Sequence, residues 1–154
     1  MENKKVKNAT PLMYNGIQFK STIEVMVYKT LLQYGFDAKY EYNTYTIWEG
    51  IKPTIPYYTR NEEKEHILNM RKLVDITITP DFYIEYNNLK IIVEAKGFEN
   101  DVFPYKFKML RKWLESQPDK DRYLIFEIFT KKQLLEAIKI IKAYDSSREN
   151  KSTD

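Results

Sequence analysis

The sequence predicts one α/β domain in which a mixed sheet is flanked by helices. Segments with helical periodicity alternate with segments rich in β-forming residues, and a predicted hairpin is followed by a helix and a further apolar strand. The chain has 154 residues, which is enough for one domain with a sizeable core and too few for two. We expect a flexible segment over residues 1–10, a single domain over 11–145 and a flexible tail over 146–154.

The first half of the domain is expected to hold a helix between two β regions. The turn signal YNGI predicts a small hairpin over residues 12–19. Ser21 begins a helix with the capping box Ser-Thr-Ile-Glu, and Gly35 ends it. Residues 38–49 alternate and carry β-forming side chains, which predicts a strand, and residues 61–72 are expected to form a short charged helix.

The segment PDFYIEYNNLKIIVEAK, residues 80–96, predicts a β-hairpin that turns at Asn87-Asn88. Asparagine tolerates the positive φ that a type I′ turn requires. With this turn, Asp81 lies directly across from Glu94, and Lys96 points the same way as Glu94. The other facing pairs are consistent with one register: Tyr86 with Leu89, Glu85 with Lys90, Ile84 with Ile91, Tyr83 with Ile92, and Phe82 with Val93.

The last third of the domain is expected to form a helix, a strand and a second helix. Residues 104–116 are helical, with an inner stripe of Phe107, Leu110 and Leu114. Residues 123–129 form a continuous apolar strand, which suggests a buried position. Residues 131–144 form the last helix, so a strand of the hairpin, helix 104–116 and strand 123–129 make a plausible right-handed crossover.

Composition excludes several classes of protein. No apolar run approaches the ~18 residues of a membrane span, and the amino terminus lacks the apolar stretch of a secretory signal. We therefore expect a cytoplasmic protein without membrane attachment. The absence of cysteine excludes disulfides and thiolate zinc sites. The single histidine, His66, lies in a charged run, so a serine- or cysteine-based triad has no convincing base.

The positive charge is concentrated in one part of the chain. The net charge is only +3, but the stretch from Pro104 to Lys142 is rich in lysine and arginine, whereas acids cluster near residues 62–65 and in the hairpin. This distribution is consistent with a polyanion that faces the basic half. It is equally consistent with the charged solvent faces of two helices.

The opposition of Asp81 and Glu94 needs an explanation. Two like charges that face each other on a sheet are destabilising, so a shared proton, a lysine or a divalent cation should offset them. Carboxylate oxygens at this spacing suit Mg²⁺ or Mn²⁺. The alternative is a surface patch in which Lys96 neutralises the pair.

A further acid, Glu24, lies on the apolar stripe of the first helix. It shares that face with Val27, Tyr28 and Leu31, where an unpaired carboxylate is costly to bury. Glu24 is also the last residue of the capping box that Ser21 begins. A role in the cap and a role in a site both remain open, and they do not exclude each other.

Several of these motifs resemble the PD-(D/E)xK nuclease superfamily. Pro80-Asp81 is followed by Glu94-Ala95-Lys96 with a hairpin between them, after a helix with an inward glutamate, in an αβββαβ order. The segments NGIQFKSTIE, VEAKGF and YKFKMLRKWL are similar to small phage-encoded endonuclease-like proteins, relatives of junction-resolving and very-short-patch repair nucleases. The resemblance covers roughly residues 14–130 and implies a restriction-endonuclease-like core. Unlike the very-short-patch repair nucleases, the chain has no cysteines for a structural zinc.

The resemblance implies a role for each motif residue. Asp81 and Glu94 are expected to bind Mg²⁺ or Mn²⁺, with the Ala95 carbonyl as a further ligand. Glu24 would complete the site directly or through water. Lys96 would orient or activate the attacking water, or stabilise the pentavalent phosphate. A lysine among acids holds its proton more strongly, which favours electrostatic stabilisation over work as a base.

The helix after the motif is the expected contact for nucleic-acid phosphates. Three of its cations lie at i, i+3 and i+4 and therefore share a face. The basic residues of the helix are Lys106, Lys108, Arg111 and Lys112. A solvated face opposite the apolar stripe would show the same pattern, so this alternative also stays open.

The predicted function is that of a Mg²⁺- or Mn²⁺-dependent endonuclease, from a phage or its bacterial host, that hydrolyses DNA phosphodiester bonds. Branched DNA and intermediates of recombination or repair are candidate substrates. The alternatives are a non-catalytic nucleic-acid-binding accessory protein of a phage or mobile element, and a structural metal-binding fold. DNA is the expected partner, and a homodimer fits because relatives that act on two strands are often dimers.

Overall fold

The protein is mixed α/β, as predicted, and a four-stranded mixed sheet forms its centre. The computed structural model describes residues 12–96 and 100–151, so the segment 1–10 that we expect to be flexible lies outside the described residues. The strands are β1 (Leu12–Tyr14), β2 (Ile17–Phe19), β3 (Lys39–Tyr40), β4 (Tyr45–Trp48), β5 (Tyr58–Arg60), β6 (His66–Leu68), β7 (Ile76–Ile78), β8 (Phe82–Tyr86), β9 (Leu89–Ala95) and β10 (Tyr123–Ile128). The helices are α1 (Thr22–Gln33), α2 (Phe103–Glu115) and α3 (Lys131–Lys151).

The central hairpin of β8 and β9 has the predicted register. Every facing pair from Tyr86–Leu89 to Phe82–Val93 is the expected one. The turn residues Asn87 and Asn88 have φ values of 43° and 71°, the left-handed conformation that asparagine tolerates better than most residues. The turn and the apolar pairs therefore fix which side chains face each side of the sheet.

The strand after α2 closes the sheet on the side of β9. β10 pairs with β9 in parallel, with Tyr123 opposite Lys90 and Ile128 opposite Ala95, so α2 is the crossover helix between two parallel strands. The expectation that this strand is buried is met only at Ile128, and its other residues are half-buried. The reason is its place at the edge of the sheet, in the order β10-β9-β8-β3.

Helices cover both faces of the sheet. On one face, α1 and α3 pack against the side chains of Phe82, Ile84, Ile91 and Val93. On the other face, the stripe of α2 packs on Ile92 together with side chains from β4 and β7. The predicted stripe residues Phe107, Leu110 and Leu114 are all buried. The faces that the hairpin register assigns to each strand therefore become two apolar layers.

Two predicted strands are interrupted. The strand expected over 38–49 divides into β3 and β4, because Glu41 adopts φ 47° and the chain leaves the sheet. The first strand of the hairpin, for which the sequence predicts a start at Leu73 and an end at Tyr86, likewise divides into β7 and β8. β4 and β7 pair with each other in a separate two-stranded sheet, with a register shift between Thr46 and Trp48.

The short helix expected over 61–72 is wrong. The region between β4 and β7 is instead a two-stranded arm, residues 49–75, in which β5 pairs with β6. The Asn61 side chain accepts the Glu65 N–H at 2.9 Å and closes the turn. At the base of the arm, the segments before β5 and after β6 approach closely. A Cβ on Gly50 would lie 1.6 Å from the Leu73 carbonyl oxygen, so only glycine fits there.

The last helix begins as predicted but is longer. α3 continues to Lys151, so most of the tail expected over 146–154 is helical, and residues 152–154 lie outside the described residues. The other helices keep their predicted bounds to within one residue. In the part of the chain that the structure describes, no helix combines the length and apolar character needed to cross a membrane.

Candidate active site

The predicted facing of Asp81 and Glu94 is present as a reciprocal pair of hydrogen bonds. The main-chain N–H of Asp81 donates to Glu94 Oε2 at 3.0 Å. The main-chain N–H of Ala95 donates to Asp81 Oδ2 at 2.8 Å. Each carboxylate is therefore oriented by the backbone of the strand that carries the other acid, and the two acids meet where β8 begins and β9 ends.

The pair is electrostatically costly. Burial, followed by the charges of Glu94 and Glu24, raises the pKa of Asp81 well above the usual carboxyl range. Burial also raises the pKa of Glu94, although the Asp81 N–H and the charge of Lys96 oppose the increase. Both shifts have the sign expected when carboxylates lose water and approach like charges. A positive charge placed between the two acids would lower this cost.

Glu24 is both a cap residue and a neighbour of the pair. Ser21 caps α1, because its hydroxyl accepts the Glu24 N–H at 3.3 Å. The Glu24 carboxylate accepts from the Ser21 hydroxyl at 3.0 Å and from the Tyr40 hydroxyl at 2.7 Å. Glu24 is 5% exposed, and its charge raises the pKa of Asp81 and of Glu94. The predicted third acid is therefore near the pair but is held by groups outside it.

Lys96 shares the face of Glu94, as expected, and is buried. It is 6% exposed, and its ammonium lies over the ring of Phe103, 2.7 Å from the ring centroid. Phe103 is the first residue of α2, so the start of this helix packs against Lys96. Ala95 contributes the main-chain N–H that holds Asp81, and the proposed role of its carbonyl as a metal ligand stays a prediction.

Three residues that the sequence did not single out complete the surroundings of the acids: Lys20, Tyr40 and Glu41. Lys20 Nζ lies 2.6 Å from Glu41 Oε1, and the Glu41 N–H donates to the Asp81 carbonyl at 2.8 Å. Burial and the hydrogen bond to Glu24 raise the pKa of Tyr40, which stays a protonated donor. Glu41 has a positive φ and follows directly after β3. No short sequence motif predicts this conformation.

The donor set at the pair suits a divalent ion in part. Within residues 12–96 and 100–151, no group of three or more His, Cys, Asp or Glu side chains is placed to hold a metal ion. The Asp81–Glu94 pair nevertheless offers hard oxygen ligands of the kind that Mg²⁺ and Mn²⁺ prefer. Burial is the main cause of the raised pKa values of both carboxyls, and the charge of Glu24 adds to it, so a bound cation would favour their charged forms. Glu24 would have to act through water or turn away from Tyr40.

The predicted phosphate contacts lie on the outer surface of α2. Lys108, Arg111 and Lys112 are exposed, and Lys106 is half-buried. The helix begins at Phe103, against Lys96, and leads away from the acids. A charged helix face that only contacts solvent would show the same exposure of these four side chains, so this alternative stays open.

The two acids, Lys20 and Lys96 thus lie near one end of the β8–β9 hairpin, and α2 begins beside Lys96. Compared with protein-family models, with curated proteins and with solved structures, the chain has no match in any of the three. The chemistry of the region is therefore inferred from its own residues.

Proposed function

We propose that the chain is a Mg²⁺- or Mn²⁺-dependent endonuclease, with a restriction-endonuclease-like core, that hydrolyses DNA phosphodiester bonds. The observation that carries the proposal is the pair of hydrogen bonds that links Asp81 and Glu94, which holds two half-buried carboxylates together at the ends of adjacent strands. A structural role alone gives no reason to bring these two acids together, since facing like charges are destabilising.

In this proposal, Asp81 and Glu94 hold the divalent ion, and Glu24 contributes through water. The bound ion would lower the pKa of its water and neutralise the charge that develops on the phosphate. The main-chain N–H groups of Asp81 and Ala95 fix the orientation of the two carboxylates, so little rearrangement is needed when the ion binds. Tyr40 and the Ser21 hydroxyl do the same for Glu24.

Lys96 would stabilise the transition state by its charge. It lies beside Glu94, whose pKa it lowers, and the Phe103 ring excludes water from its ammonium. A fixed charge in a site of low dielectric acts more strongly on developing negative charge than one in water. The proposed role therefore requires that the phosphate approach Lys96 from the side of the two acids, with Phe103 on the opposite side.

DNA is the proposed substrate because the helix beside the acids presents a basic outer surface. Lys108, Arg111 and Lys112 are exposed, and lysine and arginine on one helix face suit a line of phosphates. The fold order of helix α1, the β8–β9 hairpin, helix α2 and the parallel strand β10 also resembles the restriction-endonuclease-like core. A homodimer and a preference for branched DNA remain part of the proposal.

The test is a cleavage assay with Mg²⁺, with Mn²⁺ and with EDTA against labelled duplex, four-way junction and single-stranded DNA. Asp81→Asn, purified in the same way, controls for a contaminating nuclease. We expect Lys96→Met to keep DNA binding and metal affinity but to cleave about a hundredfold more slowly, the scale for removal of one preorganised donor. If Lys96→Met cleaves at nearly the wild-type rate, Lys96 has no role in catalysis and only neutralises the charge of the two acids. Light scattering on the same samples tests the homodimer.

The second candidate is a nucleic-acid-binding accessory protein without turnover. The observation that favours it is the burial of Lys96 beneath Phe103, which leaves this lysine little exposure to solvent. DNA binding that does not depend on Mg²⁺ or Mn²⁺, with no cleavage of any of the three DNA forms, would support this candidate over the endonuclease.

A further inference from the structure

Lys20 lies between β2 and α1 and is linked to Asp81 through Glu41. Its ammonium is 2.6 Å from Glu41 Oε1, and the Glu41 N–H is bonded to the carbonyl of Asp81 at 2.8 Å. Glu41 is therefore fixed to the same strand end as the candidate metal ligand. The backbone of Glu41 has φ 47°, a conformation that costs a residue with a side chain some energy and that often occurs at functional sites.

Lys20 and Lys96 differ in what they can reach. The side chain of Lys20 is 74% exposed, whereas Lys96 is 6% exposed and lies against Phe103. A phosphate that arrives from solvent can meet Lys20 without any movement of the backbone or of α2. The hydrogen bond to Glu41 raises the pKa of Lys20, and the charges of Glu41, Glu24 and Asp81 add to this, so its cation lies within electrostatic reach of the acids and stays protonated.

We propose that Lys20, held in place by Glu41, binds the phosphate of the DNA strand that is cut. This inference rests on the proposed endonuclease function and adds a phosphate-binding residue outside the PD-(D/E)xK motif. Glu41 positions the ammonium in the free protein and releases it to the phosphate when DNA binds. The release costs little, because an ion pair with one largely exposed partner contributes little to stability.

The test compares Lys20→Met with Lys20→Arg and with a matched control. Lys39→Met is the control, because Lys39 is also exposed and also paired with an acid, Asp37, at 3.5 Å. Both methionine variants remove one positive charge and one surface ion pair. Single-turnover cleavage of a short labelled duplex in saturating Mn²⁺ is measured, together with Mn²⁺ affinity by calorimetry in the absence of DNA.

We expect Lys20→Met to cleave about tenfold or more slowly, less than the 10²–10³ typical of a fully buried donor, and Lys20→Arg to keep most of the rate. Lys20→Met should also bind Mn²⁺ more tightly than wild type, since a cation leaves the neighbourhood of Asp81 and Glu24. Lys39→Met should change neither quantity.

The failures are distinguishable. If wild type cleaves and Lys20→Met matches Lys39→Met in both rate and Mn²⁺ affinity, Lys20 belongs only to a surface ion pair and this inference is overturned alone. If wild type neither binds Mn²⁺ nor cleaves DNA, the proposed function is overturned and the inference with it.

Discussion

Glu94 accepts a hydrogen bond from the main-chain N–H of Asp81 at 3.0 Å, so the acid on one strand is oriented by the residue that carries the other acid. The bond back, from Ala95 N–H to Asp81 Oδ2 at 2.8 Å, completes the arrangement. An amide oxygen can accept both bonds as well as a carboxylate oxygen can. The charges of the pair can therefore be removed without removing its hydrogen bonds, which makes the following tests selective.

The first prediction concerns Asp81→Asn and Glu94→Gln. Each variant should lose Mn²⁺ affinity and cleavage, because each removes one ligand charge. Each should also be more stable than wild type without metal, by about 1 kcal/mol or more at neutral pH, since one pKa unit corresponds to about 1.4 kcal/mol. Calorimetry measures the affinity and urea denaturation measures the stability. Unchanged Mn²⁺ affinity in both variants would show that the two acids do not share a site.

The second prediction concerns the pH dependence of stability in EDTA. The pKa values of Asp81 and Glu94 are raised in the fold, so between about pH 4 and those raised values the folded chain binds more protons than the unfolded chain. The contribution of the pair to the free energy of unfolding should therefore be fully present below about pH 4 and decrease as pH rises through the raised pKa values.

The control for the pH series is the double variant Asp81→Asn, Glu94→Gln. Its pH profile contains the contribution of all other titrating groups, so the difference between the two profiles reports on the pair. We expect wild type to lose stability relative to the double variant from about pH 5 to pH 8. If the difference between the two profiles does not change across this range, the pKa values of Asp81 and Glu94 are not raised in the fold.

The third prediction concerns Glu24. Glu24→Gln has one acceptor oxygen in place of two, so it should lose one of the bonds from Ser21 and Tyr40. The expected decrease in stability is about 1 kcal/mol, whereas cleavage should decrease at least about tenfold. Ser21→Ala is the control, because it weakens the cap and also removes one of the two hydrogen bonds to the Glu24 carboxylate, but keeps the charge of Glu24. Equal cleavage by wild type and Glu24→Gln would assign Glu24 to the cap alone.

The fourth prediction concerns the basic surface of α2. Neutralising Lys108, Arg111 and Lys112 together should weaken binding to all duplex sequences. The slope of log affinity against log salt should fall by about 0.9 for each phosphate that the helix no longer neutralises, up to about 2.7 for three. A triple variant at Lys131, Lys132 and Lys139 has the same change in charge on α3 and is the control. An equal change of slope in both variants would show that DNA does not prefer the α2 surface, and the prediction would be wrong.

The hairpin could be predicted because its information is local. The turn residues Asn87 and Asn88 and the facing apolar pairs agree on one register, and that register alone brings Asp81 to Glu94. The helix α1 was equally predictable, since Ser21 provides a cap and Gly35, with φ 87°, provides the end. In both cases the residues that decide the structure lie next to one another in the chain.

The surroundings of the pair could not be predicted in the same way. Tyr40 is one of 13 tyrosines, and only the packing of β3 beside β8 brings its hydroxyl to Glu24. The sequence NEEKEHILNMRK favours a helix by composition, yet Asn61 closes a turn and β5 pairs with β6. Hydrogen bonds between β5 and β6 override the helix propensity of this segment. No local sequence pattern predicts them.

The sequence separation of paired residues also bears on the order in which these contacts form during folding. The bonds of the acidic pair join positions 13 and 14 residues apart, and closing a hairpin takes microseconds. The parallel pairing of β9 with β10 must wait until the whole of α2 has been placed between them. We therefore expect local chain closure to bring the like charges together early in folding. Their repulsion should then slow folding more than it speeds unfolding.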